Sequence, residues 1–241
     1  MAFNALVTGA ASGIGLACSQ VLTTAGFDVF EWDLQTTPPV DVASSESVRD
    51  AAERLDTTLD VVVLAAGVSR MSSLLETTDE DWHLQMNVNA FGVFNSLRTL
   101  VPLMKRGGAI AVIDSVGGLR GAPYLSAYCA SKFAVTGLVE SAAPELAVRG
   151  VRINGVCPMY VRTPMEDREL QWEASIRGIS PRQVFEEYER TTPLGRVAEP
   201  EEIADTVLFL VTEPSRYMTG SFLTVSGGAH LGSTVERGEN S

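Results

Sequence analysis

Long apolar runs, histidine, cysteine and positive charge are all scarce in this chain. Apolar residues make up 45% of it, yet no uninterrupted stretch approaches the ~18 residues a membrane-spanning helix needs, so no membrane partner is expected. The chain opens on a strand-like stretch without the charged-then-apolar pattern of a secretory signal, which points to a cytoplasmic protein. Its two histidines, His83 and His230, and three cysteines, Cys18, Cys129 and Cys157, show no metal-ligand spacing, so no metal site is expected. The odd cysteine count fits reduced, buried thiols, with Cys129 alone placed for reactivity, beside Tyr128. Lysine and arginine number 18 against 30 aspartates and glutamates, a net charge of −12. That excludes the broad basic face nucleic acid requires and makes an acidic carrier protein a poor partner. Arg98 and Arg106, two cations that could form a local basic patch, read instead as solvated helix-surface residues.

What is present is a regular alternation. Apolar runs at Phe3–Val7, Val29–Trp32, Val61–Ala65, Ala109–Asp114, Arg152–Cys157 and Leu223–Val225 read as strands. Helical patterns lie between them at Ser12–Thr24, Ser45–Leu55, Asp79–Met104, Ser126–Arg149 and Pro200–Thr212. Ser45 is placed to cap the second helix, and Pro200 with Glu201 and Glu202 starts the last as helix N-termini favour. The central strands are continuously apolar, as in parallel sheets covered on both faces. With 241 residues, no repeat and no linker, the chain is expected to form one α/β domain over 1–241. The architecture is a doubly wound, Rossmann-type parallel sheet with helices on both faces. The polar stretch 232–241 reads as a flexible tail.

Two short motifs carry chemistry. Thr8-Gly9-Ala10-Ala11-Ser12-Gly13-Ile14-Gly15 follows the first strand and opens the first helix. A glycine turn in that setting lets backbone N–H groups approach a pyrophosphate at a helix N-terminus. The second strand ends at Asp33, 18 residues past Gly15. A carboxylate there accepts hydrogen bonds from ribose hydroxyls and repels a 2′-phosphate. With serine rather than a cation at position 12, both points favour NAD over NADP. The second motif is Tyr128-Cys129-Ala130-Ser131-Lys132, whose tyrosine and lysine share one helix face. A lysine ammonium beside a phenol is expected to pull its pKa down from about 10, making it a general acid/base.

These residues resemble the short-chain dehydrogenase/reductase family from about Phe3 to about Leu231. Thr8–Gly15 matches its Thr-Gly-x-x-x-Gly-x-Gly, and Asp41-Val42 its adenine-flanking pair. Leu64-Ala65-Ala66-Gly67 stands where the family has Asn-Asn-Ala-Gly. Asn89, Ser115, Tyr128 and Lys132 fall on the family's catalytic set, Ser115 preceding Tyr128 by 13 residues. Pro193–Arg196, Glu199–Ala204, Gly220 and Val225–Gly228 continue the match. The resemblance implies NAD(H)-dependent interconversion of a secondary alcohol and a ketone. Ser115 would hold the substrate oxygen and Tyr128 would move its proton. Lys132 would tune Tyr128 and bind the nicotinamide ribose, and Asn89 would hold a water that links Lys132 to solvent. Gly9, Ser12, Gly13, Ile14, Gly15, Asp33, Asp41, Val42, Ala66, Gly67, Tyr128, Lys132, Pro158 and Thr163 would contact the cofactor. The family pattern also implies a homotetramer, or a homodimer, built on the helices around Asp79–Met104 and Ser126–Arg149.

Four positions depart from that pattern. Leu64 and Ala65 replace the asparagines, and Ser226 replaces a common aspartate. Met159 replaces the glycine after Pro158, bringing bulk to the nicotinamide end. Asp114 replaces the serine before Ser115, and either tunes the field of the site or simply ends the strand. The connection between Asp33 and Asp41 is shorter than usual and carries Pro38-Pro39. Substrate choice is expected from a lid at about 163–192, with Trp172 and Tyr188 as apolar contacts, and Tyr124, Leu125, Met159 and Tyr160 on the opposite wall. In the lid, Arg177-Gly178-Ile179-Ser180-Pro181 reads as helix end, turn and helix start. Arg70, Arg168 and Arg177 either meet an anionic substrate group or pair with surface acids. Two other functions fit the same residues: a dinucleotide-binding regulator without turnover, and a reductase of carrier-bound 3-oxoacyl groups.

Overall fold

The computed structural model describes residues 3–232; of the expected tail, residues 233–241 lie outside that range. Among these residues six strands form one parallel sheet: β1 (Phe3–Thr8), β2 (Phe27–Trp32), β3 (Leu59–Leu64), β4 (Met104–Ile113), β5 (Arg152–Pro158) and β6 (Phe222–Val225). Their order is β2-β1-β3-β4-β5-β6. The chain leaves β1 in one direction to make β2 and returns to the other side of β1 to make β3. That reversal is a topological switch point, where the carboxyl ends of the strands leave a crevice for a ligand.

Among the described residues, eight α-helices accompany the strands: α1 (Gly13–Thr24), α2 (Ser45–Glu53), α3 (Asp79–Gln85), α4 (Gly92–Leu100), α5 (Ser126–Val148), α6 (Pro164–Arg177), α7 (Pro181–Thr191) and α8 (Pro200–Val211). Side chains alternate across the pleat of the sheet and divide the core in two. Leu6, Val62, Leu64, Ile110 and Val112 pack with Val48 of α2, Leu97 and Leu100 of α4, and Val135 and Val139 of α5. Ala5, Val7, Val61, Val63, Ala111 and Ile113 pack with Cys18 and Leu22 of α1 and with Ile203, Val207 and Leu210 of α8. Burying a leucine or valine on either side contributes about 1.5–3 kcal/mol. A third, small cluster of Ala174, Val184, Tyr188 and Val197 belongs to α6, α7 and the segment that follows them.

The structure corrects several expected boundaries. The helix read over Asp79–Met104 is broken: α3 gives way to a π-helical turn at Met86–Phe91, then α4, then a 3-10 turn at Val101–Leu103. Pro102 lacks the N–H to continue the helix, and the π turn carries the fully buried Asn89. Met104 therefore begins β4, whose exposed first residues include Lys105, paired with Asp60 at 2.8 Å. This charged, glycine-rich opening lacks the apolar pattern by which a buried strand is read. Helix α2 is capped by Ser44, not Ser45: the Ser47 N–H donates to Ser44 Oγ at 3.2 Å. The expected break in the lid holds, with Gly178 left-handed at φ 66° and Ser180 capping α7 in a capping box with Gln183.

Candidate functional site

A cleft of about 970 Å³ opens along the carboxyl edge of the sheet, from Gly9, Ser12 and Asp33 at one end to Tyr160, Glu173 and Tyr188 at the other. Backbone geometry builds the first end. Gly9 is left-handed at φ 70°, and a Cβ on it would stand 2.7 Å from the Ala66 backbone. A Cβ on Gly15 would stand 2.1 Å from the Gly9 carbonyl oxygen. Glycine at position 9 lets the turn after β1 close against the loop after β3, and glycine at 15 lets the start of α1 close on Gly9; Ser12, Ile14 and Gly15 of that start line the cleft. Thr8 Oγ1 accepts from the N–H groups of Ala65 and Ala66 at 3.1 and 3.2 Å. This hydroxyl ties the two loops together where the asparagine side chains are missing.

Asp33 lines the same end. Its carboxylate accepts from the Ala11 N–H at 3.2 Å and from the Gln35 N–H at 3.0 Å. Asp41 and Val42 line the cleft beside it. Asp41 accepts from the Ala43 N–H at 2.9 Å, and the Val42 carbonyl accepts from Asn95 Nδ2 at 2.9 Å. A Cβ on Gly92 would stand 2.8 Å from Val42 Cγ2, so α4 seats closely against this loop. Ile14, Gly15, Ala66, Gly67, Pro158 and Thr163 complete the expected cofactor set along the cleft. Gly13 sits just behind this lining, its Cβ position 3.2 Å from Thr163 Cγ2.

The middle of the cleft gathers Ser115, Tyr128 and Lys132. Ser115 ends the loop after β4 and accepts from the Gly117 N–H at 3.0 Å. A Cβ on Gly117 would meet Ser115 Oγ and Tyr128 Cε1 at 3.3 Å each, which shows how tightly α5 is drawn to that loop. Lys132, one of two lysines in the chain, is 5% exposed and donates to the Ile113 carbonyl at 2.9 Å. Its Nζ is 5.8 Å from the centroid of the Tyr128 ring.

Asn89 holds this arrangement from below. The Val68 N–H donates to its Oδ1 at 2.8 Å, and its Nδ2 donates to the Val68 carbonyl and to Ser131 Oγ at 2.9 Å each. Ser131 Oγ in turn donates to the Tyr128 carbonyl at 2.7 Å. Both amide hydrogens of Asn89 thus serve as a strut between the loop after β3 and α5.

Electrostatics at Tyr128 run against the sequence expectation. Burial, and then the nearby Glu169 carboxylate, hold its phenol above the ordinary tyrosine range; a hydrogen bond from Ser115 pulls the other way. Lys132 does not offset this because its ammonium is turned to the Ile113 carbonyl. Burial lowers the pKa of Lys132 itself, and Asp114 opposes that shift.

The far end is built from side chains. One face of α6 presents Met165, Glu166, Glu169, Glu173 and Arg177 to the cleft. Sequence reading did not identify Glu166, Glu169 and Glu173, although their i, i+3, i+7 spacing after Thr163 is a helical-face signal. Glu166 is 6% exposed, and its Oε1 has no hydrogen-bond partner. Burial, and then Glu169, push its pKa well up. Burial also raises Glu169. Glu173 accepts from Tyr188 OH at 2.5 Å and pairs with Arg177 at 2.7 Å; Arg177 also reaches Glu187 at 2.7 Å. Arg177 therefore pairs with acids of the lid.

Tyr160 stacks on Tyr188 with centroids 3.9 Å apart, and burial followed by Glu173 pushes its pKa up to about 12. Met159 and Tyr124 line the opposite wall, Tyr124 in a left-handed conformation at φ 63°. Such backbone strain in a non-glycine residue is characteristic of functional sites. Trp172 is not in the lining: its ring centroid lies 5.3 Å from the Arg70 guanidinium, which is 3.7 Å from Asp81. Val68, Met71, Leu84 and Val88 supply apolar lining that sequence reading did not single out.

The chain is similar to several dehydrogenases and reductases. A family model described as enoyl-(acyl carrier protein) reductase matches residues 9–230. The 3-oxoacyl-[acyl-carrier-protein] reductase FabG of Thermotoga maritima is 34% identical over 92% of this chain and 96% of its own length. L-2,3-butanediol dehydrogenase of Corynebacterium glutamicum is 34% identical over 93% of this chain and 97% of its own. Among solved structures, Thermoplasma acidophilum aldohexose dehydrogenase superposes with a TM-score of 0.90 at 26% identity, covering 99% of this chain and 98% of that one. A variant of actinorhodin polyketide ketoreductase solved with NADPH gives 0.88 at 31% identity, covering 95% and 97%.

Proposed function

Because the chain belongs to the short-chain dehydrogenase/reductase family, we propose that it interconverts a secondary alcohol and a ketone with NAD(H), Tyr128 being the general acid/base. The observation that carries this reading is the meeting of Ser115, Tyr128 and Lys132 in one cleft with the glycine turn after β1. The tight approach of Gly9, Gly15 and Ala66 forms a cradle that any Cβ would fill, and it suits a pyrophosphate. Gly9, Ser12, Gly13, Ile14 and Gly15 hold that group, and Asp33, Asp41 and Val42 the adenosine. Ala66, Gly67, Pro158 and Thr163 hold the nicotinamide end. The cofactor supplies the hydride acceptor or donor. The chain does the rest: Ser115 donates a hydrogen bond to the substrate oxygen, and Tyr128 takes its proton in oxidation or returns one in reduction. Lys132 supplies the cation and Asn89 the strut behind them. The intact set argues against a silent regulator.

The preference for NAD rests on Asp33, whose carboxylate stands at the adenosine end, and on the lack of lysine or arginine in 8–16 and 33–41. Glu166 and Glu169 on the far wall favour a small neutral substrate carrying hydrogen-bond donors over an anionic one. A second reading, reduction of carrier-bound 3-oxoacyl groups, is favoured by the similarity to FabG; the net charge of −12 and the acidic wall count against it. Phe94 of α4 and Phe133 of α5 are 43% and 47% exposed, which supports a homotetramer or homodimer seated on these helices, in a single-domain cytoplasmic protein. Turnover of secondary alcohols, sugars, hydroxy acids and a 3-oxoacyl thioester, with NAD(H) and NADP(H) in parallel, tests the proposal. Activity on a neutral alcohol or ketone with NAD(H) supports it. Activity confined to the thioester with NADPH supports the second reading.

A further inference from the structure

Asp114 is a buried carboxyl that the chemistry above does not use. It follows β4, is 2% exposed, and sits between Ile113, whose carbonyl takes the Lys132 ammonium at 2.9 Å, and Ser115. Its Oδ2 accepts from Thr136 Oγ1 at 2.8 Å and lies 3.9 Å from Cys157 Sγ. Its Oδ1 is buried with no hydrogen-bond partner. A Cβ on Gly118 would stand 2.5–2.9 Å from the carboxyl group, so this placement depends on glycine at 118. A carboxyl this buried with one oxygen alone is costly unless a cation compensates it: burial raises the Asp114 pKa, and the Lys132 ammonium, then the hydrogen bonds from Thr136 and the Ser115 backbone, oppose that rise.

We propose that Asp114 is a positioning residue of the proton-transfer group: ionised behind Lys132, it keeps Tyr128 a phenol, so that at neutral pH the site is set to give a proton to a ketone. This rests on the reading of Tyr128 as the general acid/base. A fixed negative charge strengthens the hold of each neighbour on its proton. The groups concerned are Lys132 and Tyr128 on α5 and Cys157 on β5, with Glu169 of α6 and Cys129 of α5 adding the same sign at Tyr128. The overall equilibrium is unchanged; the pH at which each direction runs fastest is what moves.

The test is the pH profile of kcat/KM for alcohol oxidation in wild type, Asp114→Asn and Asp114→Ser. Removing the charge should move both limbs to lower pH, each by about one unit, so that oxidation at pH 7 becomes roughly tenfold faster in the variants. A purely structural role would lower the rate at every pH and leave the limbs in place. That result, or a shift to higher pH, overturns the proposal. A second readout needs no turnover: Lys105 and Lys132 are the only two lysines, so 13C-lysine NMR follows Lys132 alone once Lys105→Arg assigns the other signal. In Asp114→Asn the Lys132 titration should move to lower pH; an unmoved titration overturns the proposal. If Tyr128→Phe retains wild-type turnover, the reading of Tyr128 falls instead, and the lysine titration still reports whether Asp114 is charged.

Discussion

The two ends of the cleft are made of different material. The end at β1, β2 and β3 is shaped by backbone: Gly9 and Gly15 allow an approach that any side chain would block. The lid end is shaped by side chains on one face of α6 and by the network that joins Glu173, Arg177, Glu187 and Tyr188. A backbone-built end has almost no tolerance, and its requirement is local to a few consecutive residues. The side-chain-built end can be changed one residue at a time, as suits the part of a site that selects among substrates.

Substitutions at the two ends should therefore differ in kind as well as in size. The largest effect is expected at Gly15→Val: its Cβ would lie 2.1 Å from a carbonyl oxygen, so the turn must open. We expect about 3 kcal/mol of destabilisation or more, together with lost NADH binding, read by thermal melts and by fluorescence titration. At the same end, Asp33→Asn removes a charge without altering shape. Discrimination against NADP should fall about tenfold or more, roughly 1.4 kcal/mol, in the ratio of kcat/KM values for the two cofactors, with little change in melting temperature.

At the lid, Glu173→Gln weakens the tie to Arg177 and Tyr188. A rise in KM of about fivefold with NADH affinity unchanged is expected, since each such bond contributes about 1 kcal/mol. An equal loss of cofactor binding would erase the distinction between the two ends. The smallest effect is a gain. The buried Glu166 carboxyl has a raised folded-state pKa, so its contribution to stability is present below the ordinary glutamate value of about 4.3 and is lost as pH rises through the raised value. Glu166→Gln should accordingly raise the melting temperature at pH 7 by about 3 °C, the shift that goes with about 1 kcal/mol in a protein of this size, and by much less at pH 4.

The same contrast explains what could be read in the sequence. Strand alternation, the glycine turn and the pairing of Tyr128 with Lys132 were legible because each is a local backbone requirement or one helix period, whereas Ser115, 13 residues before Tyr128 on another element, was legible only through the family resemblance. The break of the helix after Gln85 was not, because the π turn depends on Asn89 reaching Val68 and Ser131, far away in the chain. The position of Trp172 was not legible either. Its helix offers two faces, and only its packing on α7 at the mouth of the cleft decides that the glutamates line the cleft while the indole meets Arg70. The pKa of Tyr128 was misjudged because the Tyr-x-x-x-Lys spacing places the lysine but does not say where its ammonium points. The Ile113 carbonyl takes it, and Glu169 and Asp114 add negative charge that no local pattern announces.

If Tyr128 moves the proton while the glycine turn and the Asp33 end hold most of the dinucleotide, Tyr128→Phe should separate binding from turnover. The most direct measurement is NADH binding and turnover on the same preparation of Tyr128→Phe. NADH affinity should stay within about threefold of wild type and turnover should fall by about a hundredfold or more, the range for loss of a general acid/base. Turnover at the wild-type level with NADH bound would contradict that role of Tyr128.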